Sequence, residues 1–253
     1  MKVLVTFALE SEFAPWRRMR SFARLANAEF PAFDSSCGDS EIRVVLTGMG
    51  PERAQRVART ALGWQPDLCI AAGFAGGLNP ANRSGDVLVA SNIRDGETHR
   101  TFASEPRVLD LAEESGARKI DTLYTSAYAI SSVEDKRRLG RTADAVDMES
   151  FFILNEAQER GIDGVAIRAV SDAADENLPM DFTQVLDDRG CVRLARLARE
   201  IARAPQRIPA LIRLGSASRR GAMKLAQVLD KTIERLTAAA ELVVAVAAAS
   251  VIA

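Results

Sequence analysis

Two stretches decide the fold: Ala145-Val-Asp-Met-Glu-Ser-Phe-Phe152 and Arg168-Ala-Val-Ser-Asp-Ala-Ala-Asp175. Each places carboxylates at the end of an apolar run. Val146 closes a short hydrophobic segment, and Asp147 and Glu149 follow as a helix begins. Residues 165–170 read as a buried strand, with Ser171, Asp172 and Asp175 at its carboxyl end. In open α/β sheets, ligands bind outside the carboxyl ends of strands, where loops and helix N-termini converge. The acids therefore stand where chemistry is usually done. The plainer alternative is that Asp147 or Ser171 caps a helix.

The same pattern repeats earlier in the chain. Residues 2–8 read as a buried strand, ending in Leu9-Glu-Ser-Glu-Phe13. Ser11 can cap the helix that follows, with Glu12 in its first turn. Residues 41–47 form a second strand, running into Gly48-Met-Gly50-Pro51, with Pro near the first helical position. Such a turn can offer backbone N–H groups to a phosphate or a hydroxyl. Arg53 stands where the third glycine of a dinucleotide fingerprint would be, so a Rossmann site is not expected. A third strand, 67–72, leads into Gly73-Phe-Ala-Gly-Gly-Leu78, where glycines admit close approach to the main chain.

Further on, strands are expected at 85–90 and 120–125. Helices are expected at 106–115, 133–139, 148–160 and 191–202, and a polar surface loop at 94–104. Gly161 stops the third of these helices, and Phe151 and Phe152 are expected in the core. Strands alternating with helices imply an α/β fold with a largely parallel sheet. The first linker-like segment is Ala204-Pro-Gln-Arg-Ile-Pro209. Residues 1–203 thus read as one domain and 204–253 as a helical C-terminal appendix.

Composition narrows the function classes. The 253 residues are 47% hydrophobic and 26% charged, with net charge −1, ordinary for a soluble globular chain. The balance is uneven. Residues 191–235 hold eleven Lys/Arg against three Asp/Glu, and residues 1–190 hold 22 against 30. A basic helical tail fits a solvated face or an anionic surface such as a membrane. Its last apolar run, from Leu242, is too short to span a bilayer, which takes ~20 residues, but interfacial contact fits. Aromatics are 6%, and none interleave with the tail's arginines, so nucleic-acid binding is not expected. Cys37, Cys69 and Cys191 are odd in number and widely spaced, which suggests a reducing cytosol and no metal site. His99 is the only histidine and sits in a polar loop, which speaks against a Ser-His-Asp triad. Glu10 and Glu12 interrupt the N-terminal apolar run, so no signal peptide is expected.

Four motifs, in order, resemble the nucleoside phosphorylase/nucleosidase superfamily, and within it the methylthioadenosine/S-adenosylhomocysteine nucleosidases. They are Phe7-Ala-Leu-Glu-Ser-Glu12, Thr47-Gly-Met-Gly50, Gly73-Phe-Ala-Gly-Gly-Leu78 with Gly85-Asp86, and Val146-Asp-Met-Glu149 with Val170-Ser-Asp-Ala-Ala-Asp175. The resemblance covers about residues 1–200. It implies a three-layer α/β/α sandwich around a mixed, partly barrel-like sheet, commonly dimeric. It also implies cleavage of the N-glycosidic bond of a purine nucleoside, adenine in particular, without a cofactor or metal.

By resemblance, Asp172 donates a proton to, or hydrogen-bonds, N7 of the purine, and Ser171 orients it. Glu12 activates the attacking water. Glu149 grips the ribose hydroxyls, with Met148 against the sugar. Ala75, Gly76 and Gly48 belong to turns lining the site. An N-glycosidic bond breaks through an oxocarbenium-like state, so a proton for the base and carboxylates near the sugar both lower the barrier. Asp172, ending a buried strand, is expected to be the protonated carboxyl, and Glu12, near a loop, the ionised one.

Departures leave alternatives open. Asp147 stands where the nucleosidases usually carry Glu, and the loop at 94–107 is shorter, which suggests an open 5′ side. The basic tail and Lys136 ahead of Val-Asp-Met-Glu-Ser are similar to a hopanoid-biosynthesis branch, which removes adenine from adenosylhopane. Phosphate could replace water as nucleophile, although Arg17, Arg18, Arg53 and Arg83 sit in no recognisable phosphorylase motif. A non-catalytic nucleoside-binding module is the remaining class.

Overall fold

The computed structural model describes residues 1–180, 185 and 193–252. Ten strands and seven helices follow one another as β1 (Lys2–Phe7), α1 (Glu10–Met19), β2 (Ala23–Arg24), β3 (Ala32–Cys37), β4 (Ser40–Leu46), α2 (Pro51–Ala61), β5 (Leu68–Gly77), β6 (Val87–Asp95), β7 (Thr101–Ala103), α3 (Pro106–Glu114), β8 (Arg118–Thr125), α4 (Val133–Leu139), β9 (Ala145–Asp147), α5 (Ser150–Gln158), β10 (Asp163–Asp172), α6 (Leu194–Arg203) and α7 (Ile208–Ile252), among the described residues.

All ten strands join one sheet, in the order β10-β6-β8-β9-β5-β1-β4-β3-β2, with β7 beside β6. A further pairing of β10 with β5 closes β5, β10, β6, β8 and β9 into a five-stranded barrel. The sheet is mixed. β1–β4, β1–β5, β5–β10, β6–β8 and β8–β9 run parallel; β6–β10, β2–β3, β3–β4, β5–β9 and β6–β7 run antiparallel. The largely parallel sheet expected from alternating strands and helices is corrected to the mixed, partly barrel-like one that the resemblance implied. The short strands β2, β7 and β9 supply three of the five antiparallel pairs among the described residues, and short strands carry little periodicity.

β1 shows why the layers form. Val3, Val5 and Phe7 point to one side and Leu4 to the other, as the two-residue repeat of a strand requires. On the first side they meet Phe13 and Trp16 of α1, Val108 and Leu109 of α3, and Leu225, Leu229 and Ile233 of α7. On the second they meet Ala54 and Val57 of α2 and Phe151 and Leu154 of α5. Phe151 is buried and Phe152 is half-buried against the same cluster.

The segment expected as a C-terminal appendix is helical, but its middle is part of the core. Leu225, Leu229 and Ile233 are fully buried, each burial worth about 1.5–3 kcal/mol. Asp230 accepts from Trp16 Nε1 and Arg20 Nε, Arg235 pairs with Glu114, and Thr237 bonds Ser40. Gly221 lets α7 lie against β10, since a Cβ there would come 3.2 Å from that of Ala169. A short turn at Pro205–Arg207 joins α6 to α7.

Other boundaries shift too. The loop expected at 94–104 is a hairpin of β6 and β7, with exposed His99 at its turn. α6 begins at Leu194; positions 191 and 192 of the expected helix lie outside the described residues, as do the side chains from 243 onward. Among the described residues no helix is long and apolar enough to cross a membrane.

Candidate active site

Residues 73–77 of β5 pair with the carboxyl end of β10 on one side and with β9 on the other. Glu12 reaches this strand from the first turn of α1. Its Oε1 accepts the Phe74 N–H at 2.8 Å and its Oε2 the Leu9 N–H at 2.8 Å. Helix α1 starts at Glu10, so Ser11 is not the cap; the Glu12 carboxylate itself takes the Leu9 donor. Gly73, at φ +146°, leaves the room this needs: a Cβ there would fall 2.5 Å from an Arg168 nitrogen and 3.0 Å from Glu12 Oε1.

Arg168 is buried in β10 and is spent on several partners. One terminal nitrogen lies 2.6 Å from Asp147 Oδ2 and 2.7 Å from Ser150 Oγ, and the other donates to Ala72 O at 3.2 Å. Asp147 also accepts from Thr125 Oγ1 at 2.7 Å and from the Ser150 N–H at 3.0 Å. Asp147 therefore satisfies the first N–H of α5, whose N-cap position is Glu149, while also holding the arginine. Sequence reasoning gave Arg168 no role. The signal was there: one arginine inside Val165-Ala-Ile-Arg-Ala-Val170 is a charge that a buried strand admits only when paired.

Glu149 is buried just before α5 and accepts the Gly50 N–H at 2.9 Å through Oε1. The turn expected to offer N–H groups to an anion has thus engaged two of them. Gly48 N donates to Ala8 O and Gly50 N to Glu149. Arg53 Nε donates to Thr47 O. Met148, beside Glu149, is half-buried.

Three carboxylates and one guanidinium are thus buried together. Burial pushes Glu149 up to about 7; Asp147 and Glu12 add repulsion, while Arg168 and the Gly50 N–H pull the other way. Glu12 is also raised, by burial first, against the Leu9 and Phe74 N–H groups and Arg168. The cluster is a reservoir of negative charge that holds on to a proton near neutrality, and it would strengthen its charge when a cation forms beside it.

Asp172 joins β5 two positions beyond the Glu12 contact. A β-bulge at Ser171 shifts the register so that Asp172 stands opposite Gly76. Bulges re-aim side chains in this way. A Cβ on Gly76 would sit 3.2 Å from Asp172 Oδ2. Ser171 Oγ lies 3.3 Å from Ala75 O and donates to Asp172 Oδ1 at 2.5 Å. Lys136 Nζ donates to Asp172 Oδ2 at 2.5 Å. Asp172 thus has a buried lysine against it, while burial raises Glu12 above the usual carboxylate range.

A cavity of about 680 Å³ opens on Asp172. Its walls are the 175–180 loop, Ser131, Gln206 and Arg207 of the turn before α7, and the first turns of α7 from Ala210 to Ala217. Glu12 and Glu149 are not among its lining residues. Of the expected site residues, Glu12 bonds Phe74, Ser171 lies against Ala75 and Asp172 pairs with Gly76 on β5, while Glu149 bonds Gly50 and Gly48 bonds Ala8.

Comparison with known proteins agrees with this architecture. A family model described as "Phosphorylase superfamily" matches residues 2–203. The chain is 27% identical over 215 residues to a 5′-methylthioadenosine/S-adenosylhomocysteine nucleosidase of Bacillus pumilus, covering 74% of this chain and 92% of the relative. Among solved structures, a nucleosidase of the same name from Neisseria meningitidis superposes with TM-score 0.72 at 19% identity, over 92% of this chain and 99% of the other. Helicobacter pylori futalosine hydrolase superposes with TM-score 0.72 at 16% identity, over 93% and 98%.

Proposed function

Because the chain belongs to the phosphorylase superfamily, we propose that it is an enzyme that hydrolyses the N-glycosidic bond of a purine nucleoside, releasing the base. The observation that carries the reading is the placement of Glu12 and Asp172 two positions apart on β5, at Phe74 and Gly76, with Glu149 close enough to Glu12 to feel its charge. Nucleosidases among its relatives support it.

The roles are those the family resemblance implies, and the placement supports them. The Glu149–Glu12–Asp147 cluster, with Arg168 against it, stabilises positive charge growing on the sugar. Preorganised charge of this kind acts without reorganisation during the reaction. Glu149 grips the ribose hydroxyls and Met148 packs on the sugar. Glu12 takes a proton from the attacking water, and Asp172, at the open end, faces the base. Adenine is the base we assign, and the Gly48 and Gly50 N–H groups engaged within the protein favour water over phosphate.

The test is base release from methylthioadenosine, adenosine and inosine, each with and without phosphate. Adenine release that ignores phosphate is the expected result. Strict phosphate dependence would overturn hydrolysis, and tight binding without turnover would leave a binding module. Asp172→Asn should abolish release in a folded protein; an active Asn variant removes Asp172 from the mechanism.

A second observation bears on the substrate's surroundings. Ile212 is 63% exposed, next to Arg213, which lines the cavity at Asp172. α6 places Leu197 and Ile201 on one face and its arginines on the other. This pattern suits an anionic membrane surface, and with it an adenosine carrying a lipid on its 5′ side, as in the hopanoid branch. Full-length protein should co-sediment with phosphatidylglycerol vesicles but not with phosphatidylcholine, and Ile212→Glu should weaken it. Absence of binding to either vesicle rejects the membrane reading alone.

A further inference from the structure

Resting on the nucleosidase reading, we propose that Lys136 is the proton source behind Asp172. It is a positioning residue that holds Asp172 as a carboxylate in the free enzyme and passes a proton through it to the departing base.

Helix α4 is a charged surface helix, Val-Glu-Asp-Lys-Arg-Arg-Leu. Glu134, Arg137 and Arg138 are exposed, yet Lys136 is 0% exposed. Its Nζ donates to Asp172 Oδ2 at 2.5 Å, to Ala173 O at 2.7 Å and to Glu176 O at 2.7 Å. Three acceptors consume all three N–H bonds of an ammonium. A neutral amine has only two to give, so the geometry selects the charged form. Burying such an ion costs several kcal/mol before its partners offset it. No feature of α4 needs that charge for packing. What the charge does touch is Asp172, which lines the cavity together with Asp175 and Glu176.

The remaining contacts close the alternatives. Asp172 Oδ1 is occupied by the Ser171 hydroxyl, a far weaker acid than an ammonium. The Ala173 and Glu176 carbonyls hold Lys136 from the loop that lines the cavity. Asp172 therefore meets the substrate without a proton of its own, and the acid with a proton to give stands directly behind it.

The balance is simple. As the C–N bond to the sugar breaks, its electron pair passes into the base. One proton leaves Nζ for Asp172, and Asp172 gives one proton to a purine ring nitrogen. Asp172 ends as it began, Lys136 ends neutral, and solvent restores its proton after the base departs.

The experiment compares wild type, Lys136→Met and Lys136→Arg on adenosine and on 4-nitrophenyl riboside. Nitrophenolate leaves as a stable anion and needs no proton. Lys136→Met should lose roughly 10²–10⁴-fold in kcat on adenosine, as loss of acid–base help does, with KM within a few-fold. Its nitrophenyl riboside activity should stay within a few-fold of wild type. Its residual adenosine activity should climb as pH falls, because Asp172 must then draw its proton from solvent. Lys136→Arg keeps the charge but does not release a proton, so it too should fail on adenosine. Equal losses on both substrates would reduce Lys136 to a structural pin, and an Arg variant active on adenosine would overturn the relay even if the Met variant does not fold. Wild type inactive on every nucleoside would instead sink the nucleosidase reading itself.

Discussion

Gly50 donates its backbone N–H to Glu149 Oε1 at 2.9 Å, joining two turns 99 residues apart. Gly50 holds φ at +98°, and a Cβ there would meet nothing within 4 Å. The demand for glycine is conformational rather than steric. Gly50→Ala should therefore cost about 1–3 kcal/mol through backbone strain, lower Tm by about 2–4 °C per kcal/mol, and raise KM by displacing the Glu149 carboxylate. Thermal melts and initial rates check it; an unchanged KM would separate the turn from the site.

Glu149 makes stability depend on pH. Its folded value is about 7 against an ordinary 4.5. Between those values the native protein keeps a proton that the unfolded chain has lost. Stability from this group thus falls as pH rises from about 4.5 through about 7, with a limiting slope of about 1.4 kcal/mol per pH unit. Glu149→Gln should flatten that slope. Urea midpoints at pH 5 and pH 7.5 measure it, and parallel slopes in both proteins would contradict the assignment.

Arg168 and Asp147 form a buried pair at 2.6 Å. Removing either partner alone strands a charge, at a cost of about 3–5 kcal/mol. Arg168→Met should be that damaging, and Arg168→Met with Asp147→Leu should recover part of the loss. A double-mutant cycle in guanidinium supplies the coupling; additive losses would show that the two charges do not depend on each other.

Leu229 tests the place of α7. Leu229→Ala should cost about 2–5 kcal/mol, as in a close-packed core, because Leu229 is fully buried among residues of β1, α1 and α3. A chain ending at residue 203 should fail to fold cooperatively by circular dichroism and calorimetry. A sharp melt of that fragment would show that the helix is dispensable.

The acids were legible in the sequence because each ends a run of buried-strand residues, and strand ends in an α/β fold point to one rim. Asp147, Glu149 and Asp172 share that placement, and Glu12 shares it at β1. Lys136 and Arg168 were not assigned roles. One lies in a helix that is otherwise a solvated charge pattern, and the other in a strand whose period shows burial but not a partner. Nor was the core role of α7 legible. Its apolar positions read as a generic amphipathic helix, and the residues that receive them, such as Phe7, Trp16 and Leu109, lie more than a hundred positions earlier.

What the chain alone determined is the set of local periods: strands that bury both faces, turns that need glycine, and carboxylates at the ends. Those depend on neighbours a few residues away. Tertiary structure alone decided which charges meet. The closure of β10 onto β5 and the bulge at Ser171 bring Asp172 to Gly76, and they set Lys136 and Arg168 beside their carboxylates. The protonation of each acid follows from that pairing and its burial, since electrostatic energy depends on distance and desolvation, which the order of residues does not contain.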